Sequence, residues 1–179
     1  MKNQKSLGYK SLPFFQQSKI IYDFTVEFAN QYINRKSRTR DQMVQAARSS
    51  KQCIAEGYLL KSLKGRIKLL GVSRGSYEEL LNDFLDFLRQ RGLVLWDKDS
   101  ARALAIRRLS YKSYKDYNDY KKYLKSPEEA ANAMICLINQ TNHLLDQKLR
   151  WLEEEFISKG GYTETLFKKR LERRSKKKF

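Results

Sequence analysis

Apolar residues recur at helical spacing in four long stretches of this chain. Over residues 14–33 the stripe is Ile20, Ile21, Phe24, Phe28 and Tyr32, and Pro13 is placed to start the helix. A polar, basic link over 34–40 follows, with Ser37 and Thr39 as candidate caps. The spacing predicts a second helix over 40–56, with Met43, Ala46, Ala47, Ser50, Cys53 and Ile54 inward and Gly57 as its stop. Its small residues imply a close approach to a neighbouring helix. A third helix over 61–90 carries two adjacent stripes. One is Ile67, Leu70, Tyr77, Leu81, Phe84 and Leu88; the other is Leu69, Val72, Leu80 and Phe87. Two stripes predict more than one packing partner, satisfied within a bundle or, more sharply, at a subunit interface. Gly92 ends this helix.

Residues 96–125 read as a helical insert rich in tyrosine and lysine. Residues 101–109 look helical, and then Tyr111, Tyr114, Tyr117, Tyr120 and Tyr123 recur every third position among Lys112, Lys115, Lys121 and Lys122. On an α-helix such a step drifts by about 60° per residue, so the rings would wrap the axis and not line one face. Exposed tyrosines beside lysines can stack unpaired bases while the lysines hold phosphates; equally, the rings can pack the insert onto the bundle. Ser126-Pro127-Glu128-Glu129 is a strong helix start, a cap followed by proline and acids. The fourth helix then runs to about Ser158, with Ala130, Met134, Leu137, Thr141, Leu144, Lys148 and Leu152 inward and Ile138, Leu145, Leu149 and Phe156 alongside. Gly160-Gly161 breaks it.

The organisation expected is a loose basic leader over 1–12, an all-α, antiparallel up-and-down four-helix bundle over 13–159, and a basic tail over 160–179. With 2 prolines and 8 glycines in 179 residues, the chain has too few turn residues for a β-rich fold. No internal repeat at a solenoid period is visible.

Charge changes the picture most. Lys and Arg total 37 against 20 Asp and Glu, a formal net charge of +17. Such self-repulsion attracts polyanions, nucleic acid first and an anionic membrane surface second; the alternative is a generally basic surface that serves solubility. Three clusters qualify for phosphate contact. The first is Arg35, Lys36, Arg38 and Arg40. The second is Lys51, Lys61, Lys64, Arg66, Lys68 and Arg74. The third is the tail, with Lys168, Lys169, Arg170, Arg173 and Arg174, read either as a disordered solubilising end or as a segment that docks on RNA. Tyr114, Tyr117, Lys121 and Lys122 of the insert join them as a candidate base-stacking element.

Catalytic chemistry finds little support. A di-iron bundle needs Glu-x-x-His motifs on facing helices, and the single histidine, His143, has no glutamate three residues before it. Cys53, Cys136 and His143 could in principle ligate zinc, but two core cysteines and an ordinary histidine account for them better. The glycines of residues 71–76 lack the lysine and the strand-to-helix context of a phosphate loop. No metal, cofactor or enzymatic activity is therefore expected. Two cysteines are too few for a disulfide scaffold, and no signal-like or membrane-spanning apolar run is visible, so the expectation is a cytoplasmic protein with no membrane partner.

Several segments carry a resemblance. Arg38-Thr39-Arg40-Asp41-Gln42-Met43-Val44-Gln45-Ala46-Ala47-Arg48-Ser49 and Ile54-Ala55-Glu56-Gly57 resemble the second-helix signature of the bacterial four-helix-bundle proteins related to those encoded by 23S rRNA intervening sequences. Gly75-Ser76-Tyr77-Glu78-Glu79-Leu80 resembles the third-helix signature of that family. The stretch from Asn132-Ala133-Met134 through Leu145-Asp146 to Gly160-Gly161-Tyr162-Thr163-Glu164 resembles the suffix of a longer branch. The resemblance implies a bundle that assembles into a pentameric ring. It also implies similarity to the accessory variability determinant of diversity-generating retroelements, which partners a reverse transcriptase and its template RNA. The function expected is thus a non-enzymatic, homo-oligomeric nucleic-acid-binding scaffold, with RNA favoured over DNA and a reverse transcriptase as a further partner. The alternative is a protein–protein adaptor or structural oligomer with no nucleic-acid role.

Overall fold

The computed structural model describes residues 8–112 and 115–176. Among them every regular element is helical: α1 (Pro13–Tyr32), α2 (Arg38–Leu59), α3 (Leu63–Gln90), α4 (Ala101–Ser110), α5 (Asn118–Lys121), α6 (Pro127–Lys159) and α7 (Tyr162–Ser175), with 3-10 turns at Gly8–Ser11 and Lys122–Lys125.

The starts of the helices are written in serines. The hydroxyls of Ser37, Ser62, Ser100 and Ser126 accept the backbone N–H of Thr39, Gly65, Ala103 and Glu129 at 3.3–3.4 Å. Each satisfies a donor that the first helical turn leaves without a carbonyl. Pro13 and Pro127 occupy first turns, where a missing N–H costs nothing. Gly92 follows α3 at φ +63° and Gly160 follows α6 at φ +74°, conformations that favour glycine.

The four long helices form a closed set of neighbours. α1 packs on α2 and α6, α2 on α3, and α3 on α6. Their apolar faces meet in one core, in which Ile21, Phe24, Phe28, Met43, Ile54, Tyr77, Phe84 and Met134 are fully buried. Phe28 sits at the centre of an aromatic group, 4.9 Å from Phe84, 4.8 Å from Phe87 and 5.3 Å from Tyr32 between ring centroids. Its tilted and edge-on contacts are the favoured aromatic geometries. α4 lies against α6. No described helix is long and apolar enough to cross a membrane.

Five expectations are corrected or narrowed. Gly57 does not stop α2; the helix continues to Leu59 and buries Gly57 against α3. A Cβ there would stand 3.3 Å from that of Leu69, so the glycine serves close packing. The second stripe of α3 is not a free face. Leu80 and Phe87 are buried in this chain and Leu69 is half-buried, because α3 packs on both α2 and α6; only Val72 remains exposed. Among the described residues the insert is helical in pieces: α4 ends at Ser110, α5 takes up Asn118–Lys121 and a 3-10 turn follows. The tail over 162–175 is a helix, α7, and not an irregular end. Finally, the last part of the leader is docked: Tyr9 of the first 3-10 turn stacks edge-on to Phe15, with centroids 4.7 Å apart. Tyr114 and residues 1–7 and 177–179 lie outside the described residues.

Candidate nucleic-acid interface

Cations gather at two ends of the molecule. Arg35 and Lys36 stand exposed in the link between α1 and α2, and Arg38 opens α2 in the open. Arg40 is half-buried, hydrogen-bonded to Asn30 and 3.5 Å from Asp41. The backbone of this end is tied together by side chains. Tyr32 donates its hydroxyl to the carbonyl of Leu124, and Arg91 donates Nη2 to the carbonyl of Tyr32 at 3.4 Å. These bonds bring the end of α3 and the Lys122–Lys125 turn beside Arg35 and Lys36, so Lys122 shares an end with the first cluster. Arg91 and Lys125, both exposed, belong here too and were missed. Their signal was available only in part: each follows a helix or turn end, but their proximity depends on the tertiary fold.

The second cluster divides. Lys61, Lys64 and Lys68 are exposed around the start of α3, and Lys64 and Lys68 share a helical face. Arg66 is half-buried and donates Nε to the Leu60 carbonyl at 2.6 Å, which holds the α2–α3 link. Lys51 sits apart on α2, its ammonium 3.9 Å from the centre of the Tyr22 ring. Arg74 is already satisfied. Its Nη1 lies 2.6 Å from Glu78 and its Nε 3.1 Å from Asp146, so it ties α3 to α6 and offers no free charge to phosphate. Those carboxylates raise its affinity for its proton against an opposing effect of burial.

The tail departs from the same end as Lys61 and Lys64. Arg74 in the first half of α3 lies 3.1 Å from Asp146 in the second half of α6, so the start of α3 and the end of α6 share one end of the molecule, and α7 follows α6 directly. Every residue of α7 except Ser175's flanking turn is helical and all are exposed, Lys168, Lys169, Arg170, Arg173 and Arg174 among them. Tyr162, Leu166, Phe167 and Leu171 are exposed on the same helix. Gly161 starts it by donating its N–H to Glu164 at 3.0 Å. The two cationic ends are separated by about the length of α3, whose 28 residues span ~40 Å.

Among the described residues, seven cations take part in ion pairs, and of the predicted phosphate contacts only Arg40, Arg74 and Lys121 are among them. Lys121 lies 3.4 Å from Glu27. Of the rest, Arg35, Lys36, Arg38, Lys61, Lys64, Lys68, Lys122 and the cations of α7 are exposed, and Lys51 and Arg66 are half-buried.

The tyrosines of the insert split between the two readings offered by the sequence. Tyr120 is 1% exposed and packs on the bundle, and Tyr111 is 82% exposed. Tyr117 is half-buried, with its hydroxyl pushed well above the usual phenol range by burial and by Glu27 and Asp23 of α1. Tyr117 packs against the core, and those carboxylates disfavour a phosphate beside it. Cys53 is half-buried on α2, while Cys136 is half-buried and His143 exposed on α6; no cluster of three metal-ligating side chains occurs among the described residues. Burial pushes both thiols up, so neither is poised as a nucleophile.

No family model, no curated protein and no solved structure matches this chain.

Proposed function

We propose that this chain is a non-enzymatic RNA-binding scaffold, built as an antiparallel up-and-down four-helix bundle and assembled as a homo-oligomer. Links of a few residues between α1, α2 and α3 support that topology, as short connections join antiparallel neighbours. The observation that carries the binding role is the pair of cationic ends. Arg35, Lys36, Arg38 and Lys122 form one; Lys61, Lys64 and Lys68, with the cations of α7, form the other, and none of these cations is in an ion pair among the described residues. Phosphates bind such surfaces with little base readout. In a ring, which the family resemblance makes pentameric, each patch repeats, so weak contacts combine. The same resemblance makes a reverse transcriptase and its template RNA the partners to test first.

The test is binding of a labelled RNA to two sets of glutamine substitutions, one at Arg35, Lys36 and Arg38, the other at Lys61, Lys64 and Lys68. Each set weakens binding by roughly tenfold or more and lowers its dependence on salt. Binding unchanged by both sets refutes the proposal. The adaptor reading draws on α7, whose Leu166, Phe167 and Leu171 are exposed. Light scattering before and after nuclease treatment separates the two: an assembly that never carries or takes up nucleic acid favours the adaptor.

A further inference from the structure

A groove of about 1040 Å³ lies between α6, α4 and the flanking faces of α1 and α3, at the upper end of the range of about 300–1,000 Å³ usual for ligand sites. Its cations, Lys98, Arg107 and Lys115, come from three separate segments, and no aspartate or glutamate lines it. None of the three takes part in an ion pair among the described residues. The Lys115 ammonium donates to the Lys112 carbonyl at 3.2 Å. The floor is apolar, with Leu81, Leu85 and Leu144, while Asn139, Gln140 and Gln147 supply amides. Trp96 lines the groove at 7% exposure, and among the described residues its indole N–H has no acceptor and the buried Oε1 of Gln140 has no donor.

This combination selects the chemistry of an occupant. A bare phosphate would leave the apolar floor and the indole donor unmatched. A neutral apolar ligand would leave the three cations and the Gln140 carbonyl unmatched, while the amide nitrogens of Asn139, Gln140 and Gln147 already bond to Ile135, Arg107 and His143. A nucleotide answers each: a flat aromatic body for the floor, acceptors and donors on its edge for Trp96 and Gln140, and a phosphate for Arg107, Lys98 or Lys115. We infer that this groove receives an unpaired nucleotide of a bound RNA strand, an inference that rests on the RNA-binding role and assigns that role a site for bases. Cys136 and Arg107 both line the groove, on α6 and α4.

Charge alone would favour duplex, since a double strand presents denser phosphate and releases more counterion per contact. A base held in the groove favours single strand. The experiment compares an unstructured RNA strand with its duplex, by anisotropy, on the full chain and on two variants. Cys136→Trp fills the groove; Arg107→Gln removes a cation with little change of volume, and circular dichroism checks the fold of both. The expected result is a preference for the single strand that falls by roughly 5- to 150-fold in either variant, the range of one stacked base. In a Trp151→Phe background the strand also quenches Trp96, and the duplex does not. A single-strand preference that survives both variants overturns the inference, as does equal binding of both nucleic acids. Quenching of Trp96 by dodecyl phosphate but not by the strand also overturns it, and assigns the groove to an anionic amphiphile. If the chain binds neither nucleic acid, the RNA-binding role falls and the groove assignment with it.

Discussion

Two asparagines on α6 sit in opposite situations. Asn132, 1% exposed, accepts the N–H of Trp96 at 2.8 Å and donates to the carbonyls of Val94 and Glu128 at 2.8 and 2.9 Å. It fastens the segment after α3 to the bundle. Asn142 is also buried, but its carboxamide has no partner in the protein. Leucine at position 132 therefore costs about 1–3 kcal/mol by stranding backbone groups, whereas Asn142→Leu raises stability by about 1 kcal/mol. Urea unfolding of both variants measures this. Asp83 provides a pH signature: burial first, then Asp86 and Glu79, push its carboxyl up to about 6. A carboxyl raised on folding favours the fold while protonated. Its contribution is full below the unfolded value of about 3.9 and is lost as pH rises through about 6. Asp83→Asn removes this dependence and raises neutral-pH stability by less than about 1 kcal/mol, because the group is half-exposed. Melting temperatures across that range read the difference. At this scale the sequence is least informative. Nothing near Arg74 announces that Asp146, on another helix, takes its charge. The groove cations Lys98 and Arg107 attracted no notice, because they stand in no cluster along the chain.

At the scale of elements, hydroxyls and prolines made most boundaries legible. Ser37 and Ser126 cap where their position in the sequence suggests, and the stripes of α1, α2 and α6 face the core as periodicity implies, except Cys53 and Lys148, which are half-buried outside it. Gly57 was misread because a glycine after an apolar stripe signals a stop as readily as a close approach. Its environment decides: Gly57→Leu overpacks the α2–α3 contact and destabilises the fold by about 1–3 kcal/mol, measured by thermal or chemical unfolding, and a neutral result would contradict the packing role. α7 was hidden by its charge, which resembles that of a disordered tail. The missed signal was local: Glu164 three residues after Gly161 accepts the N–H that starts the helix. The tyrosine insert misled in the other direction, as a regular spacing that matches the 3-10 step more closely than the α-helical one.

For the whole molecule, composition disclosed the excess of positive charge but not its arrangement. Folding draws Arg91, Lys122 and Lys125 to Arg35, and α7 to the end that carries Lys61 and Lys64. Separation by about the length of α3 lets one extended strand contact both ends of the molecule. The central claim is that this exposed charge holds RNA through its phosphates. The measurement that tests it most directly is the affinity of the full chain for a single RNA strand over a series of salt concentrations. The account predicts a linear fall of log K with log salt, with a slope of about −0.7 for each phosphate neutralised and several phosphates engaged. Affinity that stays level across the series, or an absence of binding at low salt, would contradict it.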